Sequence, residues 1–506
     1  MGETRSRLMK GALWIAIGRL LANALGLIST LILARILVPE DFGLVAISTA
    51  FMAILTSITD MPVSEALIQH KDPKKDHFHT AFTISAIRGA IIGLAMVFCA
   101  GPVAQFYGDE RLREILQVLA LGVFLLSLLN PRLILFQREL VFHQIFIMQI
   151  SEKAVGFIAA VAVALIYQSY WALIIGALAS EMTRVLLSYV LRPFLPRFTL
   201  LHWRELLSFS IWLTLGNCAQ ALNWRANPLV YGAVLPTNFM GLYGFGNRVT
   251  GVLFDQLDQP IRQTLYPAFS RLNSDIPALG RAYLRAQGIL CLVVFPFATA
   301  IIFLAAPLVT IAVGDKWLLA VPVIQIQAMM SAAQSMVALQ PIAMATDNTK
   351  KLFYRSVRVI IVRWPIVGIA IWVAWPFGPN NVLIAAMLGS LVATAVNVVW
   401  NMTLVRSIAE IPLRNQLGLG LRPVLACIAT ALVLSGLGTM LPMTQSSLIG
   451  QFLQLLAFAF AGLACYAISI AILWRVHGKP KSAEVDLTEM IVGFYRKLQK
   501  RLKMQS

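Results

Sequence analysis

Val38-Pro39-Glu40-Asp41-Phe42-Gly43-Leu44 and Leu235-Pro236-Thr237-Asn238-Phe239-Met240-Gly241-Leu242 are two copies of one short element. The second copy carries one inserted residue, Met240, between its Phe and its Gly. Beyond the insertion the register shift is 198 residues, which pairs Gly43 with Gly241 and Leu44 with Leu242. The same shift sets Asp60-Met61-Pro62 on Asp258-Gln259-Pro260 and Leu67 on Leu265. Each copy precedes an apolar segment, so an Asp-x-Pro recurs at one depth in two helices. A long-period repeat of this kind defines an architecture.

The surrounding chain says what is repeated. Of its 506 residues 58% are hydrophobic, and the mean hydropathy is +0.76. About fourteen apolar segments of roughly 20 residues follow one another, each long enough for a bilayer core of about 30 Å. This predicts an all-α polytopic membrane protein. With the N-terminus in the cytoplasm, 29 of the 41 Lys and Arg residues fall in cytoplasmic connections and the tail, and four (Arg35, Arg111, Arg113 and Lys316) in outer loops. That bias orients the chain with both termini inside. Six segments per repeat, an even number, make the copies parallel, related by a pseudo-two-fold along the membrane normal. The expected division is an N-lobe at 1–200, a C-lobe at 201–415, two further helices at 416–476 and a basic amphipathic cytoplasmic tail at 477–506. The basic linker Leu191-Arg192-Pro193-Phe194-Leu195-Pro196-Arg197 joins the lobes, its two prolines marking a non-helical crossing.

Several function classes drop out. The net charge of +18 is explained by topology signals beside anionic lipid, so nucleic acid is not an expected partner. The first apolar run is too long for a cleaved signal and reads as a retained helix. Met1-Gly2-Glu3-Thr4-Arg5-Ser6 fits the myristoylation pattern by letter only. Cys99, Cys218, Cys291, Cys427 and Cys465 lie one per segment and read as inert buried thiols. His77 and His79 form an H-x-H without a third ligand, which reads as a solvated loop. No phosphate-binding loop, Walker motif, catalytic triad or large outer loop is present. An ATP-driven pump and a membrane glycosyltransferase or ligase are therefore disfavoured, and no enzyme activity, metal or cofactor is expected.

Eight cations lie inside apolar segments: Arg19, Arg88, Lys153, Arg184, Arg225, Arg248, Arg262 and Arg363. At about 2.5–3.5 kcal/mol each they would cost roughly 20–28 kcal/mol facing lipid. Lys153 follows Glu152 at a cytoplasmic helix entry, Arg184 sits three residues after Glu181, and Arg262 four after Asp258, a favourable helical pair. Arg19, Arg88, Arg225, Arg248 and Arg363 have no acid at such spacing. Either they bond helix ends and the few acids across helices, or they line a water-filled cavity whose guanidinium forks suit phosphate oxygens. Asp60, Pro62, Asp258 and Pro260 are either capped kinks or paired hinges, with an ion-coupling role open to the two Asp residues. In the tail, Leu487, Met490, Ile491, Phe494, Leu498 and Leu502 recur opposite basic residues, the pattern of a helix lying on the inner leaflet.

These stretches resemble the Wzx-like polysaccharide flippases of the multidrug/oligosaccharidyl-lipid/polysaccharide exporter superfamily. The likeness is carried by Arg5 to Lys10, Ala34 through Leu44, Asp60 through Gln69, Leu235 through Gly244, and Tyr266-Pro267-Ala268-Phe269-Ser270. Asn227-Pro228 stands where the family often has an Asp, which puts ion coupling there in doubt. The resemblance implies two six-helix lobes alternating between inward-open and outward-open states in the bacterial inner membrane. It implies an undecaprenyl-diphosphate-linked oligosaccharide as cargo, and a groove for the lipid tail beside the last two helices. Energy would come from an ion gradient or the membrane potential. The five Arg residues are the candidate head-group contacts. Membrane lipids and, beside the protein, a polymerase and glycosyltransferases are the implied partners of an expected monomer. A cation-drug antiporter of the same superfamily is the alternative, disfavoured by fourteen helices and an excess of intramembrane Arg.

Overall fold

The computed structural model describes residues 2–59, 67, 73–139, 141–207, 211–346, 348–440, 448–478, 483–485 and 489. The long helices are α1 (Gly2–Ile36), α2 (Pro39–Ile58), α3 (Lys75–Tyr107), α4 (Arg111–Ser127), α5 (Phe142–Tyr167), α6 (Trp171–Leu191) and α7 (Ile211–Trp224). They continue with α8 (Thr237–Ser270), α9 (Ile276–Val313), α10 (Val321–Ser335), α11 (Thr349–Ala374), α12 (Pro379–Ala409), α13 (Leu413–Met440) and α14 (Leu448–Val476). Short helices at Ile134–Arg138, Trp203–Leu207, Asn227–Gly232 and Leu339–Ala345 punctuate them, and no strand occurs among the described residues. The chain is a multi-pass helical membrane protein.

Among the described residues, 11 helical segments are long and apolar enough to span a membrane. The other three expected segments are α4, α7 with its Asn227–Gly232 extension, and α8. Each falls short for a physical reason. α4 has only 17 residues. α7 has 14 residues and a turn at Arg225–Ala226 interrupts it. α8 carries Arg248, Asp255, Asp258 and Arg262, which dilute its apolar character.

The chain forms two compact units, Met1–Phe245 and Gly246–Ser506, whose boundary falls inside α8. In the first unit, α5 and α6 touch through small residues four apart. A Cβ on Gly156 would lie 2.7 Å from the Gly176 carbonyl oxygen, and one on Gly176 would lie 2.6 Å from the Ala160 Cβ. Small residues at this spacing let backbones approach where burial from water supplies no drive. α3 and α4 meet similarly, Gly89 against Ser127 and Gly93 against the Ala120 carbonyl. Gly108, at φ +68, ends α3 in the left-handed conformation glycine adopts without penalty.

The start of α3 holds the linker. His77 is 3% exposed, and its ring stacks on His202 with centroids 3.9 Å apart. The backbone N–H groups of Arg197, Thr199 and His202 donate to His79 Nδ1 (3.1 Å), Thr83 Oγ1 (3.0 Å) and Thr80 Oγ1 (3.4 Å). Arg132 adds its guanidinium over the Phe194 ring at 5.7 Å. The H-x-H expected in a solvated loop is therefore a packing surface: the prolines that bar residues 192–202 from helix leave amides that α3 side chains satisfy.

In the second unit, Asp275 caps α9, accepting from Ala278 N at 2.9 Å. Leu279, Tyr283, Ala338, Ile342, Met402 and Val405 form a buried core. α14 is tied to α9 by Tyr466, whose hydroxyl donates to the Leu292 carbonyl at 3.2 Å. Ala483 packs on Gly288, and Arg422 Nη1 pairs with Glu484 Oε1 at 2.6 Å. The amphipathic stretch read beyond Glu489 lies outside the described residues.

Candidate functional site

The two repeated elements meet each other. α2 starts with Pro39 in its first turn, and Val38 N donates to Asp41 Oδ2 at 3.2 Å, an arrangement that satisfies a helix start. Its first turns cross those of α8. A Cβ on Gly43 would fall on the Thr237 carbonyl oxygen, and a Cβ on Gly241 on the Pro39 carbonyl oxygen. Gly43 and Gly241 are paired by the 198-residue shift, and each packs on the first turn of the other copy's helix. Leu44 is 0% and Leu242 3% exposed, and the Phe42 and Phe245 rings meet edge-on at 6.3 Å. The seam is dry, and no side chain fits at either glycine.

Polar ties surround it. Tyr107 Oη donates to the Leu229 carbonyl at 2.9 Å, and Asn227 Nδ2 to Tyr243 Oη at 3.1 Å. Arg111 Nη2 reaches Glu40 Oε1, and its Nε reaches Asp109 Oδ1 at 2.9 Å. The Arg111 guanidinium holds the Asp109 carboxyl below the usual carboxylate range, and the two acids push Arg111 up in turn.

The other end of α2 is different in kind. The helix stops at Ile58, and Arg88 of α3 caps it: Nη2 donates to the Thr56 carbonyl at 2.7 Å and Nε to Thr59 Oγ1 at 3.3 Å. A guanidinium on a helix C-terminus meets the negative end of its dipole. Arg88 lines a cavity of about 630 Å³ within the first unit, together with Gln149 and Glu152 of α5, Glu181 and Arg184 of α6, and Asn130. Glu152 Oε2 and Arg184 Nε are 3.7 Å apart, an ion pair without a hydrogen bond, and both atoms are sealed from solvent. Glu181 presses its carboxylate on α4 at Gly122.

The sequence-derived candidates fare unequally. Arg19 is half-buried on α1, beside Gly18, which packs on Phe146 of α5. Arg225 is exposed in the turn after α7, and Arg248 is exposed on α8. Arg363 is 2% exposed, with Nη2 3.5 Å from Ser390 Oγ of α12 and its guanidinium over Trp364 at 5.5 Å. Arg19, Arg88 and Arg225 belong to the first unit, Arg248 and Arg363 to the second; of the first three only Arg88 lines the cavity. Asp60 and Pro62 lie outside the described residues, and α8 runs through Asp258 and Pro260 without interruption. Glu152 and Arg184, read from spacing as ordinary pairs with Lys153 and Glu181, instead find each other across two helices. The legible signal was an acid deep in each of two consecutive apolar segments.

A known solved structure, the lipid II flippase MurJ in an inward closed conformation, superposes with a TM-score of 0.71 at 14% identity, covering 92% of this chain and 99% of that one. An inward-facing multidrug resistance MATE transporter of the MOP superfamily follows with a TM-score of 0.56 at 14% identity, covering 78% of this chain and 99% of that one. Both establish the fold. The lipopolysaccharide biosynthesis protein WzxC of Escherichia coli K12 is 25% identical over 327 residues, 64% of this chain and 66% of WzxC, just under two thirds of its length. The succinoglycan biosynthesis transport protein ExoT of Rhizobium meliloti is 22% identical over 466 residues, 91% of this chain and 92% of ExoT. The profile of the family described as "Polysaccharide biosynthesis protein" matches residues 32–322, more than half of the chain, and the chain belongs to that family.

Proposed function

We propose that this protein is a flippase that carries a polyprenyl-diphosphate-linked oligosaccharide from the cytoplasmic to the outer leaflet of a bacterial inner membrane, with both termini cytoplasmic. The observation that carries the reading is Arg88, which holds the C-terminal end of α2 and lines a cavity of about 630 Å³ inside a multi-pass fold. A guanidinium inside an apolar segment is costly facing lipid, and its planar fork suits the oxygens of a diphosphate head group. Arg19, Arg225, Arg248 and Arg363 are the further head-group candidates. The six-helix lobes at 1–200 and 201–415 rock about the paired elements. The Gly43–Gly241 seam is the outer closure, and Asp60, Pro62, Asp258 and Pro260 are the candidate hinge or ion-coupling positions. An apolar groove of about 470 Å³ between α9, α13 and α14, lined by Phe303, Pro307, Leu434 and Phe458, suits a polyprenyl tail. The protein itself makes and breaks no covalent bond, and a polymerase and glycosyltransferases act before and after it.

The test is deletion of the gene followed by probing lipid-linked oligosaccharide with a lectin that reaches only the outer leaflet. Finished repeat units trapped on the cytoplasmic side, with surface polysaccharide lost, are the expected result. Accumulation on the outer side would instead identify a polymerase or ligase step. An unchanged glycolipid pool would favour a drug or metabolite exporter.

A further inference from the structure

The cavity of the first unit holds more charge than head-group binding requires. Two carboxylates, Glu152 and Glu181, project from consecutive helices into it, and Arg184 is their cationic neighbour. Glu152 Oε2 is buried, accepts no hydrogen bond, and has Arg184 Nε at 3.7 Å. Glu181 makes no hydrogen bond and no ion pair among the described residues, and rests on the α4 backbone at Gly122. The remaining charged groups around them are few. Arg88 of α3 is bonded to the end of α2. Lys153 of α5 is exposed, and Arg19 of α1 lies beside Gly18, which packs on α5. The described parts of α2 and α4 add no titratable group to the cavity wall.

Arg184 is the guanidinium beside the two carboxylates, while Arg88 is turned to the end of α2, and a carboxylate that makes no hydrogen bond in a membrane interior relieves its cost by taking a proton. A hard metal cation gathers a shell of oxygen ligands; here the adjoining charge is Arg184, which repels it. We infer that Glu181, with Glu152 and Arg184 beside it, is an exchangeable-proton site inside the first unit, loaded and emptied once per transport cycle. This inference rests on the transport reading above. The proton enters on a Glu181 carboxylate oxygen from cavity water and leaves to water when the α5–α6 pair shifts and Arg184 comes within reach. Its cargo is the proton alone, and no bond of the lipid-linked substrate changes.

The test uses infrared difference spectroscopy on the full-length protein in liposomes as pH is stepped through neutrality. A protonated-carboxyl band is expected in the native protein, absent in Glu181→Gln and shifted in Glu152→Gln, and indifferent to exchange of sodium for potassium. Absence of the band in the native protein, its persistence in Glu181→Gln, or its removal by sodium overturns the inference. In cells, Glu181→Gln at native membrane levels should lower surface polysaccharide at least tenfold. Undiminished polysaccharide with the band gone would overturn the coupling role while leaving the flippase reading intact. A native protein that shows the band but flips nothing would sink the flippase reading instead.

Discussion

The two ends of α2 solve opposite problems. At Pro39–Leu44 the helix meets its repeat partner backbone to backbone, dry, with glycine at both crossing points. At Thr56–Thr59 the same helix stops, and Arg88, at the edge of a charged cavity, takes the Thr56 carbonyl while the Cys218 thiol faces those of Ser57 and Ile58. A seam made of glycine and carbonyl oxygen holds only while nothing intrudes, and it tolerates parting because no ion pair crosses the crossing points themselves. A cavity lined by Glu152, Glu181, Arg88 and Arg184 needs water or a polar guest to be stable at all. The difference separates what closes from what binds.

The strongest way to break the comparison is to fill the seam. Gly43→Ala or Gly241→Ala places a methyl group on a backbone oxygen, which cannot step aside as a side chain does. Overpacking of this sort costs about 1–3 kcal/mol, roughly a five- to 150-fold loss of the sealed population. Labelling of Ala46→Cys, which packs on Gly244, by an impermeant maleimide should rise accordingly. Unchanged labelling would show that the seam is incidental.

A smaller effect sharpens the other end. Arg184→Ala leaves Glu152 buried without its partner and should lower thermal stability in detergent by about 1–3 kcal/mol. Adding Glu152→Gln should restore most of that loss, and a double-mutant cycle reads the coupling directly. Purely additive losses would mean that the 3.7 Å pair is unimportant.

The smallest effect belongs to the rim of the seam. Asp109 has a folded-state acidity strengthened by Arg111, so its contribution is complete above the ordinary carboxylate pKa of about 3.9 and is lost as pH falls through the lower folded value. Arg111 and Glu40 are both about two-fifths exposed, which keeps the pair's worth within about 1 kcal/mol. Arg111→Ala should therefore flatten the acid limb of the melting-temperature profile by a few degrees at most, and leave the neutral plateau almost unmoved.

Much of this was legible in the chain itself. Apolar length gave most of the spans, because bilayer thickness acts on composition alone. The 198-residue shift gave equivalence of depth, but equivalence is not contact. That Gly43 faces Thr237 and Gly241 faces Pro39 required the crossing of two helices far apart in sequence. Spacing also misassigned Glu152 and Arg184, since neighbours along one helix are visible in sequence and neighbours between helices are not. Arg88 was readable as an intramembrane cation, but not as a cap, because its partners Thr56 and Thr59 lie on another helix. His77 misled for the same reason: a histidine beside lysines looks solvated until a linker covers it.

That linker has a mechanical side. Residues 192–202 give three backbone amides to one helix and stack His202 on His77. A connection so stapled has no slack. Any travel of the segment that follows it reaches α3, and through Arg88 the end of α2, as a pull on a taut line rather than a drift taken up by a loose loop.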